Sequence, residues 1–196
     1  MSSKLIAITG GIGCGKSVVS KIITLLGYQV YDCDSRAKRI MDSDEKIKNK
    51  ISERVCAAAI TPDGQIDRKA LSDVVFSDNE KLNELNQIVH GAVRVDLAQW
   101  VRANSCYGKP LFVETAILRE SGLDKMVERV IVVTAPAEIR IRRVMSRNSC
   151  LREDVVKRIE SQERSGIAFG SDDMYIDNSG DLALLPQIQR IINEVD

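Results

Sequence analysis

Leu5-Ile6-Ala7-Ile8-Thr9-Gly10-Gly11-Ile12-Gly13-Cys14-Gly15-Lys16-Ser17 runs from four apolar residues into a glycine-rich turn and ends on lysine and serine. The unbroken apolar run predicts a strand covered on both faces. Gly10 to Ser17 satisfies G-x-x-x-x-G-K-[ST], the phosphate-binding P-loop. Glycines at this spacing let successive backbone N–H groups curl around a phosphate without Cβ clashes, and the helix that follows adds its positive end. Gly11, Ile12, Gly13, Cys14 and Gly15 are therefore candidate nucleotide-binding residues. Lys16 can reach the β- and γ-phosphates, and the Ser17 hydroxyl is placed to bind Mg²⁺.

Outward from this loop the chain alternates strands and helices. Val18, Val19, Ile22, Ile23 and Leu26 recur at helical spacing, and Gly27 supplies a stop. Further strands are predicted at Gln29-Val30-Tyr31, Leu111-Phe112-Val113, Val130-Ile131-Val132-Val133 and Met174-Tyr175-Ile176. A closing amphipathic helix runs through Leu185, Ile188, Ile191, Ile192 and Val195. This pattern implies an α/β fold: a parallel five-stranded sheet flanked by helices, of the nucleotide-kinase-like P-loop type. Residues 1–196 are expected to form one such domain. The stretch from Ser35 to Pro110 reads almost wholly helical, apart from a turn at Thr61-Pro62-Asp63-Gly64, with Asp67 as the cap of the helix after it. It is taken as an inserted subdomain at about 35–110. An Arg-rich pair of helices joined near Asn148-Ser149 forms a candidate lid at about 140–165.

Composition narrows the classes. The 196 residues carry 28 Lys+Arg against 28 Asp+Glu, with 44% hydrophobic and 29% charged residues, which excludes wholesale disorder. A formal net charge of zero argues against a chain that coats nucleic acid or an anionic membrane. The balance is a cancellation: residues 140–164 hold eight basic and four acidic groups, whereas residues 165–196 hold one and six. No apolar run reaches the length of a membrane span. Five widely spaced cysteines without a C-x-x-C pair point to a reducing compartment. The start Met-Ser-Ser-Lys does not read as a signal peptide, so a cytoplasmic location is expected.

A P-loop implies nucleotide binding and leaves the reaction open. The base-reading N-K-x-D of GTPases is absent, and Leu111-Phe112-Val113-Glu114 is only a loose version of the acidic strand of motor ATPases. A small phosphoryl-transfer enzyme remains. Asp32 and Asp34 follow the second strand at the carboxyl edge of the sheet, where ligands of such sheets bind. A carboxylate there can take the proton of an attacking hydroxyl or hold a water on Mg²⁺; the bland alternative is that either residue caps the helix starting near Ser35. Arg143 and Arg147, four apart, share one helix face suited to a triphosphate. Arg140, Arg158 and Arg164 read as solvated faces. Cys14, at a helix N-terminus, is a candidate for oxidation or alkylation rather than catalysis. His90, the only histidine, is open between structural and functional roles, and Trp100, Tyr107 and Phe169 between core packing and ligand contact.

Ile8 to Ser17, followed by Asp32-Cys33-Asp34, resembles the dephospho-CoA kinase family, and the resemblance runs nearly end to end. Leu85-Asn86-Gln87-Ile88-Val89-His90 is similar to the family's L-N-x-x-x-H-P segment, and Ala116-Ile117-Leu118-Arg119-Glu120 to its P-L-L-x-E. Arg143 to Arg147, with Arg152-Glu153 and Gln162, resembles its lid. Asp173 to Gly180 resembles its D-x-[VI]-[IV]-x-N-x-G. The chain departs from the pattern at Gly91 and Ala116, which replace prolines, at Arg119 in place of an apolar residue, and at Val18 in place of a second hydroxyl. The resemblance implies transfer of the γ-phosphate of ATP to the 3′-hydroxyl of dephospho-CoA, with Mg²⁺. By position it implies Asp34 as general base, Lys16 and the loop on the ATP phosphates, and Ser17 on magnesium. It further implies Arg143 on the transferring group, Asn178 by the adenine, and His90, Glu120 and Asp32 toward the acceptor. A kinase of another small acceptor, or a nucleotide-dependent switch that turns over little, stays open at this point.

Overall fold

In the computed structural model, residues 3–105, 108–164, 170 and 172–195 are described. Tyr107, Phe169 and the side chain of Arg164 lie outside that description. Strand β1 (Leu5–Thr9) is buried along its whole length, as its unbroken apolar run requires. It sits at the centre of a five-stranded parallel sheet. On one side it pairs with β3 (Leu111–Glu114), Ile8 facing Glu114; on the other it pairs with β4 (Arg129–Thr134), Thr9 facing Val132. β2 (Gln29–Asp32) and β5 (Met174–Asp177) flank these, giving the order β2-β3-β1-β4-β5. The predicted strands all form.

Helix α1 (Lys16–Leu25) leaves the glycine-rich turn and buries Val19 and Ile23 against the sheet. The last helix of the chain (Leu184–Val195) adds Ile188, Ile191, Ile192 and Val195 to the same core, which contains Ile6, Ile8, Phe112, Ile131, Val133 and Ile176. Burying each such side chain contributes about 1.5–3 kcal/mol, so this layer fixes the platform on which the loop sits.

The chain divides into two compact units, one of residues 1–31 with 103–196 and one of residues 32–102. The second is helical: α2 (Cys33–Ser43), α3 (Glu45–Arg54), α4 (Arg68–Ser77) and most of α5 (Asn79–Asn104). All four helices open on an aspartate. Asp32, Asp44, Asp67 and Asp78 each accept hydrogen bonds from two backbone N–H groups of the first turn. Ile47, Ile51, Val55, Leu71, Val75 and Ile88 close the helices on a common core. Between α3 and α4, Ile60 bridges Ile66 around a tight turn at Thr61–Gly64, closed by the Gly64 N–H donating to the Thr61 carbonyl at 2.9 Å. The Asp67 cap predicted from sequence is present, and removing it strands two amide donors of α4. Asp67→Ala should lower stability by about 1 kcal/mol, read as a shift of the urea unfolding midpoint with an unchanged slope.

In the first unit, α6 (Ala137–Asn148) and α7 (Arg152–Arg164) form the predicted Arg-rich pair. Ser149, left-handed at φ 50, breaks the helix between them. Ile141, Val144, Val155 and Ile159 are their shared core. Arg152 donates to both oxygens of Glu138, at 3.0 and 2.5 Å, joining the first turns of the two helices. The hydrogen bond from Arg152, and then its charge, hold the Glu138 carboxyl below its ordinary value of 4.5. A carboxyl lowered on folding contributes stability above its unfolded value, and that stability is lost as pH falls through the lowered value. The unfolding midpoints of wild type and Glu138→Gln should therefore differ at pH 7 and converge as pH drops below 4.5. Both groups are exposed, so the difference is small.

Candidate nucleotide and phosphoryl-transfer site

The P-loop forms as its spacing demands. Gly15, left-handed at φ 90, is the N-cap of α1 and has no side chain to offer the helix. The cap therefore brings no side-chain acceptor to the first turn, where the Val18 N–H donates to the Gly15 carbonyl at 3.0 Å, and no acidic residue stands in that turn to compete with an anion. The Cys14 N–H closes the loop on the Gly11 carbonyl at 3.2 Å. Lys16 arches back over it, its ammonium donating to the carbonyls of Gly10 at 3.0 Å and Gly11 at 3.3 Å. Ser17 follows directly, exposed in the first turn of α1. One cation and one hydroxyl thus stand beside a glycine-rich loop at a helix N-terminus, which is an arrangement for a polyphosphate.

Residues far along the chain hold this loop in shape. Asn178, buried just past β5, donates from Nδ2 to the Cys14 carbonyl at 2.7 Å, and its own N–H donates to the Thr134 carbonyl. Arg143 on α6 donates to the Asn178 carbonyl at 2.9 Å and approaches the Cys14 carbonyl at 3.5 Å. The structure therefore brings together the loop, Arg143 and Asn178. It leaves Arg147 exposed, with its Nε on the neighbouring Asn148 side chain at 3.1 Å.

The structure corrects two expectations about single residues. Arg140 is not on a solvated face: it is 9% exposed, and its Nε donates to the Ile12 carbonyl at 2.9 Å. Its spacing from Arg143, three residues, places both on the loop side of α6. That spacing was visible in the sequence, but the burial depends on a loop that arrives from more than a hundred residues away. Cys14 is not a thiol open to reagents. Its side chain is 3% exposed and packs in the core with Ile6, Val19 and Ile176.

The remaining candidates fall in other places. The cap of α2 is Asp32, whose Oδ1 accepts from the N–H groups of Asp34 and Ser35, while Ser35 Oγ donates to Oδ2 at 2.6 Å. Asp34 does not cap; it stands in the first turn of α2, directly beyond the carboxyl end of β2. His90 and Trp100 are half-buried on α5. Glu120 is exposed on the turn after β3. Among the described residues no group of three or more His, Cys, Asp or Glu could hold a metal ion. A lone Ser17 hydroxyl fits Mg²⁺, which keeps most of its waters and relies on substrate phosphates rather than an all-protein cage.

With this geometry in view, comparison with known proteins is specific. The dephospho-CoA kinase family model matches residues 4–183. A dephospho-CoA kinase of Porphyromonas gingivalis is 37% identical over 191 residues, covering 97% of this chain and 93% of that protein. One from Fusobacterium nucleatum is 32% identical over the full length of both. Among solved structures, a dephospho-CoA kinase from Campylobacter jejuni superposes with a TM-score of 0.72 at 26% identity, covering 97% of this chain and 96% of that one. Shikimate kinase from Bacteroides thetaiotaomicron, at 12% identity and a TM-score of 0.53, shares the fold alone. The loop, gripped by α6 and by the segment after β5, lies inside a family match that spans nearly the whole sequence: this chain belongs to the dephospho-CoA kinase family.

Proposed function

We propose that the protein phosphorylates the 3′-hydroxyl of dephospho-CoA with ATP, yielding CoA and ADP. The observation that carries the reading is the Gly10–Ser17 loop with Lys16 arched over it, in a chain that matches this family from residue 4 to residue 183.

In this reading the backbone amides at the start of α1 and the Lys16 ammonium hold the β- and γ-phosphates, so the transferring group is positioned before reaction. Arg143, with Asn178 behind it, offsets charge that builds on that group. Asp34 accepts the proton of the acceptor hydroxyl as the oxygen attacks in line, and no covalent enzyme intermediate is needed. Magnesium, when bound at Ser17, neutralises phosphate charge. Asp32, His90 and Glu120 serve the acceptor, Arg147 the triphosphate, and Asn178 also borders the adenine. The helical segment of about 35–110 takes the acceptor and the segment of about 140–165 covers the nucleotide. A cytoplasmic location fits such a substrate pair, and among the described residues no helix is long and apolar enough to cross a membrane.

Product analysis tests this. Purified protein with Mg·ATP should convert dephospho-CoA to CoA, and a panel of nucleosides and nucleoside monophosphates should stay unphosphorylated. Phosphorylation of a nucleotide without CoA formation would reassign the acceptor. ATP binding with no acceptor phosphorylated would make the protein a nucleotide-dependent switch.

A further inference from the structure

Ile12 is the P-loop residue whose side chain, carbonyl and N–H are all engaged by the Arg-rich hairpin. Its side chain packs on the cluster of Ile141, Val144, Val155 and Ile159. Its carbonyl accepts from Arg140 Nε on α6 at 2.9 Å. Its N–H donates to the Gln162 carboxamide oxygen on α7 at 2.7 Å. The other end of that carboxamide, Nε2, donates to the Ala116 carbonyl at 3.3 Å, in the turn that follows β3.

β1 and β3 are neighbours in the sheet, with Ile8 opposite Glu114, so the turns after them leave the same carboxyl edge side by side. One side chain from α7 therefore ties both turns at the edge where an α/β sheet binds its ligand. From these contacts we infer that Gln162 is a positioning residue. It sets the shape of the nucleotide loop through the Ile12 amide and locks that loop, α7 and the β3 turn into one body.

Amide chemistry is required at this site. Ile12 offers an N–H and Ala116 a C=O, and a carboxamide answers both, accepting with Oε1 and donating with Nε2. Glutamate can accept from Ile12 but turns an acceptor oxygen toward the Ala116 carbonyl. Methionine matches the length and answers neither. Because the contact shapes the cradle and does not touch the reacting atoms, its loss belongs in nucleotide binding rather than in the chemical step.

The proposal deepens the kinase reading for the rate measurement and stands apart from it for the binding measurement. Affinity for Mg·ATP is measured by calorimetry on wild type, Gln162→Glu and Gln162→Met, followed by KM and kcat for CoA formation and by thermal melts. Expected is a Kd for ATP, and a KM for ATP, raised about tenfold in the methionine variant and by an intermediate factor in the glutamate variant, with kcat within about threefold of wild type. Lower melting temperatures with Kd and KM unchanged would reduce Gln162 to a packing residue and overturn the proposal. A fall in kcat with Kd unchanged would overturn it equally. If the wild type makes no CoA, the kinase reading fails while the calorimetric ordering still decides the role of Gln162.

Discussion

Asp34→Asn should lower CoA formation by about 10²–10⁴-fold while leaving ATP affinity within about twofold of wild type. Asparagine has the shape of aspartate but cannot take a proton at neutral pH, so the change removes basicity and little else. The local structure supports so clean a separation. The capping of α2 is carried out by Asp32, whose two oxygens already hold the Asp34 N–H, the Ser35 N–H and the Ser35 hydroxyl. Asp34 is thus relieved of the structural duty that aspartates carry at the starts of α3, α4 and α5. Its loss costs the helix only a small interaction with the positive end of the dipole. The hydrogen bonds that shape the nucleotide cradle run among Gly10–Ser17, Arg140, Arg143, Gln162 and Asn178, at the other strands of the sheet. Steady-state CoA formation beside calorimetric ATP binding separates the two effects. A variant that keeps its rate would remove Asp34 from the role of base.

Gly13→Ala should disable the loop outright. Gly13 is left-handed at φ 81, and a Cβ there would stand 2.6 Å from the Arg140 carbonyl oxygen and 2.9 Å from the Arg140 Cα. The backbone conformation alone costs about 1–2 kcal/mol for a residue with a side chain. The overlap adds to this, because it is with backbone and no rotamer change relieves it. Either the loop opens or α6 shifts away, and α6 carries both Arg140 and Arg143. We expect a stability loss of about 2–4 kcal/mol, together with ATP affinity lowered more than about tenfold. Urea unfolding and ATP titration measure the two effects. Gly27 provides the comparison, being left-handed as well but with nothing within 4 Å of where a Cβ would stand. Equal losses at the two glycines would mean that conformation alone, and not the approach of α6, dictates the residue at Gly13.

What the sequence revealed and concealed follows the range of the interactions involved. The loop, the strands and the cap at Asp67 are local features, fixed by glycine spacing, apolar runs and one carboxylate beside two amides. They were legible. The choice between Asp32 and Asp34 as cap turned on a small shift of the boundary: β2 passes into α2 without a connecting loop, and the helix begins at Cys33 rather than near Ser35. The environment of Arg140 was concealed because a helix face is solvated or buried according to what packs on it. In this case that is Gly11 and Ile12, brought in by the fold. Arg147, one turn beyond Arg143 on the same helix, stays exposed and meets Asn148 instead.

The burial of Cys14 gives the protein an internal clock. A thiol sealed in the same core as Ile6, Val19 and Ile176 reacts only when the layer between the sheet and α1 opens. The rate at which a thiol reagent consumes it therefore counts openings of the nucleotide loop in the folded protein. A ligand that clamps the loop slows that count in proportion to its occupancy.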